Sequence, residues 1–324
     1  MSKDRDETPP STGAESKLPI YASIAANVAI AILKFVAAVV SGSSAMAAEG
    51  IHSLVDSADG GLLLIGHWRS RRPADEAHPF GYGHELYFWT LLVAVLFFVL
   101  GGGISVYHGV INVLRPHPLE DPTWSYVVLA GATLFDGTSF VIAFRAFRRT
   151  AEGRDFWEHM RGSKDPSQFA VVLEDAADLT GIALAFGGIY FGHRLRMPRL
   201  DGIASIAIGF VLAGVALVLM RQTKGLLLGE SASAEVRARI HAVIDADADV
   251  MATDQLRTMH LGPHDILLTT SVQLAGELSE PQVAHAIMRL ENRIRAAVPD
   301  VKHVCLDARR MGREGPLGPE TGAA

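Results

Sequence analysis

Six stretches of the chain are apolar for long enough to cross a bilayer, and short polar segments rich in arginine separate them. A hydrocarbon core of about 30 Å takes roughly 20 apolar helical residues to span. The stretches run over about 19–41, 46–68, 87–113, 123–147, 168–192 and 202–220. The third, YFWTLLVAVLFFVLGGGISVYHGVINV, is the clearest; the first is interrupted by Lys34 alone. This pattern predicts an all-α bundle of six transmembrane helices within residues 17–225. From about residue 229 the periodicity changes. Val236, Ile240, Val243 and Ile244 share a helical face, DILLTTSVQL reads as a strand within 254–274, Val283 to Val298 again has helical spacing, and KHVCLDA reads as a last strand. The order helix, strand, strand, helix, strand predicts a small α+β domain over 229–310. Residues 1–16 and 311–324 are polar or rich in Gly and Pro, and read as disordered tails, the first having no apolar core of the kind a signal peptide needs.

The basic residues orient the bundle. Arg69, Arg71 and Arg72 follow the second span, Arg145, Arg148, Arg149, Arg154 and Arg161 the fourth, and Arg221 and Lys224 the sixth. With six spans those loops share one side with both termini, and the positive-inside rule makes that side the cytoplasm. Arg194, Arg196 and Arg199, between the fifth and sixth spans, run against the majority. Composition agrees with a membrane protein: 49% of residues are hydrophobic, and the net charge of −6 offers no basic surface to a nucleic acid. The single cysteine, Cys305, excludes an internal disulfide and a thiolate cluster.

Against this apolar background several ionisable residues stand out. An ionisable side chain at the centre of a spanning helix costs about 2.5–3.5 kcal/mol on insertion scales, so such groups face interior cavities. The second span carries His52 and Asp56, and the fifth carries Glu174 and Asp178. Each pair is spaced i, i+4 and so lies on one helical face. Two such helices side by side bring one imidazole nitrogen and three carboxylates together, a donor set suited to a tetrahedral divalent cation. Without metal, that concentration of like charge in a low-dielectric pocket favours proton binding, so protons compete with metal for the same oxygens. Asp59 and Asp175 lie near these pairs and are candidates for a second metal position, supporting contacts or a proton relay. For these, as for Asp136 and Asp201, a helix-end or helix-packing role is an equal alternative, with Asp201 expected to cap the sixth helix.

At these residues the chain resembles the cation diffusion facilitator family. The second span reads EGIHSLVDSADG, the fifth VVLEDAADLTG, and the loop after the second span RPADEAHPFGYGHELYFW. The three motifs agree with the family in order and spacing, and the resemblance covers roughly residues 17–310. Its Glu-Asp pair on the fifth span, together with HPFGYG, resembles the zinc transporter 9-like subgroup. The resemblance implies a six-helix transmembrane bundle with a C-terminal, cytoplasmic α+β ferredoxin-like domain. It implies no enzymatic activity but proton-coupled export of a divalent metal from the cytoplasm by a homodimer, with no nucleic-acid partner, in a bacterial inner membrane. Zn2+ is the first expectation for the cargo.

The transport positions of the family fall on His52, Asp56, Glu174 and Asp178. The usual histidine on the fifth span is Glu174 here, and this harder oxygen donor keeps Mn2+ and Fe2+ open. A metal-gated channel and a metal sensor are the alternatives from other classes. The loop positions that bind a second metal in some relatives are Asp75, His78 and Tyr82. Tyrosine is a poor zinc ligand there, and His84 is the available substitute. The C-terminal histidines His241, His260, His264, His285 and His303 are scattered, which predicts a dimerisation domain without a complete metal cluster.

Overall fold

The computed structural model describes residues 18–116, 121–150, 155–275 and 278–310; the tails expected at 1–16 and 311–324 lie outside them. Six long helical stretches match the six spans. They are α1 (Leu18–Ser41), α2 (Ser44–Ser70), a composite of α3 (His84–Leu96), a π-helical turn (Phe97–Gly103) and α4 (Ile104–Leu114), then α5 (Thr123–Thr150), α7 (Pro166–Arg194) and α8 (Arg199–Leu227). A short helix, α6 (Phe156–Gly162), precedes α7. His84–Leu114, Thr123–Arg149 and Arg199–Leu227 are long and apolar enough to cross a membrane, with mean hydropathies of 2.2, 1.8 and 2.7. In α2 and α7 the apolar run is broken by Glu49, His52, Asp56 and Asp59, and by Glu174, Asp175 and Asp178.

The chain falls into two contact units. The first comprises Met1–Gly61, Phe97–Thr138 and Ala176–Ala213. Within it, α4 and α8 approach backbone to backbone. A Cβ on Gly109 would lie 2.7 Å from the Gly202 carbonyl oxygen, and one on Gly202 would lie 2.9 Å from that of Gly109. Only glycine permits this spacing, and the Ser205 hydroxyl donates across the same contact to the Ser105 carbonyl at 2.9 Å. Between helices in lipid, where no hydrophobic effect drives association, small residues allow the dispersion contacts that do.

The second unit comprises Leu62–Leu96, Ser139–Asp175 and Gly214–Ala324. One of its cores gathers Ala94, Phe147, Met160, Phe169 and Leu219. The other belongs to the C-terminal domain, built from α9 (Ala234–Asp245), β1 (Val250–Thr253), β2 (Arg257–Gly262), β3 (Asp265–Leu274), α10 (Glu280–Ala297) and β4 (Val301–Arg310). Strand β1 is not predicted by the sequence pattern, because its four residues are too few to show an alternation. β1 and β2 pair antiparallel with opposite halves of β3, and β4 runs parallel to β3. Along β3 every second residue points inward, so Ile266, Leu268, Val272 and Leu274 meet Ile240, Ile244 and Ile294 in one core.

The loop after α2 packs on this domain. A Cβ on Gly83 would lie 2.2 Å from the Leu261 carbonyl oxygen, which requires glycine there. Phe80 meets the His303 ring edge to face at 5.3 Å, and the His84 ring donates from Nε2 to the His260 carbonyl at 3.1 Å.

Candidate metal centre

Helix α2 begins at Ser44, and its first-turn amides need acceptors. They find one in Asp201, a fully buried residue in the first turn of α8. The Asp201 carboxylate accepts from the Ser44 amide at 2.6 Å, the Ala45 amide at 3.3 Å and the Ser44 hydroxyl at 2.8 Å. The Ser43 hydroxyl at 2.5 Å and the Asn112 amide at 3.1 Å complete its shell. The expectation that Asp201 caps its own helix is therefore corrected. It caps α2, because a carboxylate near the positive end of a neighbouring helix satisfies donors that α2 cannot satisfy itself.

From that cap, α2 carries His52 and Asp56 inward. His52 is fully buried, and its Nε2 lies 3.6 Å from Asp56 Oδ2 and in direct contact with Asp178 Oδ1. The three residues each offer a ligand atom, and these atoms lie within 4.8 Å of one another. The His52 ring is set edge to face against Phe97, with centroids 5.1 Å apart and planes at 63°. Phe97 opens the π-helical turn FFVLGGG, a local irregularity of the kind that often occurs beside functional sites.

Glu174 is buried on α7, one helical turn before Asp178. The three-residue group does not include it. Asp59 is buried on α2, three residues beyond Asp56. Asp175 accepts a hydrogen bond from the Ser139 hydroxyl at 3.0 Å, which ties α7 to α5.

A second buried charge cluster, joining groups distant in sequence, lies in the same unit. Lys34 and Glu49 have no exposed surface, and the Lys34 ammonium donates to Glu49 Oε2 at 2.9 Å and to the Ser53 hydroxyl at 2.8 Å. Asp136 Oδ2 lies 4.0 Å from the same nitrogen. The signal was present: a lone lysine within a spanning helix requires an anionic partner.

In the loop, Asp75 and His78 meet Tyr82 rather than a second histidine. The Tyr82 hydroxyl donates to Asp75 Oδ2 at 2.6 Å, the His78 amide donates to Asp75 Oδ1 at 2.8 Å, and the His78 and Tyr82 rings are 4.2 Å apart. These bonds, the Tyr82 hydroxyl's first, hold the Asp75 carboxyl below its usual range. His84, the substitute offered by the sequence, is turned instead toward the β2 backbone.

Three helical stretches long and apolar enough to cross a bilayer mark a membrane protein, and α2 and α7 bring an imidazole and two carboxylates together in an arrangement that could hold a cation. Residues 20–228 match the profile of the cation efflux transmembrane domain, and the chain belongs to that family, the cation diffusion facilitators. It lies close to the zinc transporter 9 subgroup. It is 28% identical to the proton-coupled zinc antiporter SLC30A9, mitochondrial, of Mus musculus over 89% of this chain and 58% of that protein. The Homo sapiens counterpart is 31% identical over 80% of this chain and 46% of its own length, so the chain spans about half the length of these relatives. It is also 23% identical to the manganese efflux system protein MneP of Bacillus subtilis, over 88% of this chain and 92% of that protein. The family consists of integral membrane transporters, not enzymes.

Proposed function

We propose that this protein exports a divalent transition metal, Zn2+ first, from the cytoplasm in exchange for protons. His52, Asp56 and Asp178 bind the cargo, and Glu174, one turn along α7, supplies the fourth ligand. The observation that carries this reading is the convergence of three ligand atoms within 4.8 Å of one another, two of them on buried residues and the third on half-buried Asp56. Neutral His52 offers a nitrogen lone pair, and the carboxylates offset the charge of a dication. When the metal leaves, their mutual repulsion in a low-dielectric setting favours proton uptake, so one set of oxygens alternates between the two cargoes. Alternating access then follows from rocking the helices around the loaded site.

The domain boundaries follow the same reading: a six-helix transport domain over 17–225 and a cytoplasmic α+β domain over 229–310 that joins two copies. Both termini lie in the cytoplasm, and the membrane is the bacterial inner membrane. A second cargo has a specific observation in its favour. Glu174 replaces a nitrogen donor by oxygen, which shifts preference toward Mn2+ or Fe2+. The manganese efflux relative agrees with that direction.

The test is metal flux in proteoliposomes with and without a pH gradient. Saturable zinc movement that accelerates when protons run the other way is the expected result. Indifference to the gradient overturns the exchange mechanism, and non-saturating flux through an open path favours a channel.

A further inference from the structure

Lys34 is the one lysine or arginine fully buried among the described residues, and its ammonium sits as a bound cation would. Glu49 Oε2 at 2.9 Å, Ser53 Oγ at 2.8 Å and Asp136 Oδ2 at 4.0 Å surround it with oxygens from α2 and α5. Glu49 has capacity to spare, because its Oε1 is buried with no hydrogen-bond partner among the described residues. That oxygen is aimed at α7, where a Cβ on Gly181 would lie 2.2 Å from it. Glycine three residues beyond Asp178 is therefore what lets the Glu49 carboxylate reach α7. Ser53 adjoins His52 in sequence, so the two clusters are neighbours on α2. Two carboxylates and a hydroxyl form a hard oxygen set of the kind that holds Mn2+ or Mg2+.

We propose that the Lys34 ammonium is a chain-borne cation filling a second cation position made by Glu49, Ser53 and Asp136. By occupying it, Lys34 confines the mobile dication to the His52–Asp56–Asp178 group and keeps the unit from loading two ions. This second role rests on the transport reading above; the occupied position itself does not.

The experiment counts bound ions by equilibrium dialysis of the purified full chain in lipid nanodiscs, with Mn2+ and Zn2+ as separate probes. Lys34→Ser vacates the position and is expected to bind one more ion per protomer than wild type, the gain being tighter for Mn2+ than for Zn2+. Lys34→Arg keeps a chain-borne cation, and Lys34→Ser/Glu49→Gln removes a carboxylate; both are expected to bind as many ions as wild type. Asp178→Ala is expected to lose one ion, and Lys34→Ser/Asp178→Ala to regain it. An unchanged count in Asp178→Ala sinks the transport-site reading, whereas an unchanged count in folded Lys34→Ser sinks this proposal alone. If Lys34→Ser folds only when a dication is supplied during purification, the position has been refilled as expected. Failure to recover it with or without metal overturns the proposal, because a vacated cation position accepts a free ion.

Discussion

Asp201 accepts a 2.6 Å hydrogen bond from the Ser44 amide, so a residue in the first turn of α8 caps the helix that carries His52 and Asp56. Five donor contacts converge on that one carboxylate. Replacing it by alanine strands buried donors and the α2 terminus together. Asp201→Ala is expected to cost about 2–3 kcal/mol of stability, the range for a lost charge-assisted cap. It is also expected to weaken metal binding, since the start of α2 sets the position of His52 two turns on. Thermal melts in detergent and metal titration measure the two effects; a melt within a degree of wild type contradicts the capping account.

Glu174 is a hard oxygen donor one turn before Asp178, and exchanging it for a nitrogen donor sets the expected direction of selectivity. Glu174→His is expected to improve discrimination of zinc over manganese by on the order of tenfold, about 1.4 kcal/mol. Asp178→Ala is expected to abolish transport while leaving the fold intact, and Asp59→Asn to have a smaller effect. Calorimetry with each metal, alongside flux assays, separates these outcomes. Equal loss in all of them would mean that the site extends further along α2.

The loop geometry around Asp75 makes Tyr82 the residue that keeps it closed. Tyr82→His puts an imidazole beside His78 and Asp75, a three-ligand set of the sort zinc accepts. The variant is expected to bind one more zinc ion than wild type, read by metal analysis after dialysis. No gain in zinc would show that the loop backbone, and not the missing histidine, forbids a site there.

His260 lies buried in β2, and burial pushes its imidazole below the ordinary value of 6.5, with the Lys164 cation acting in the same direction. The sign follows from linkage. The folded chain holds the ring neutral, so stability is unaffected above the ordinary value and falls as pH drops through about 6.5 toward the lower folded value. The melting temperature of wild type is expected to decline more steeply than that of His260→Gln between roughly pH 7 and pH 5.5. Parallel profiles would assign the acid sensitivity to other groups.

The sequence by itself determined the six apolar stretches, the two i, i+4 pairs and most of the C-terminal domain. Each is a local property: hydropathy over about 20 residues, spacing on one helix, or alternation along one strand. The β3 run DILLTTSVQL shows its inward face in the amino acids alone, whereas β1 is too short to do so. Tertiary structure alone decided which distant groups meet. Lys34 and Glu49 are fifteen residues apart, and Ser43 and Asp201 are separated by 158. Nothing in the local pattern of α8 says that Asp201 turns to α2 rather than to its own amides. Buried charges choose partners by three-dimensional proximity in a medium where leaving them unsatisfied is costly, and that choice is made only once the helices pack.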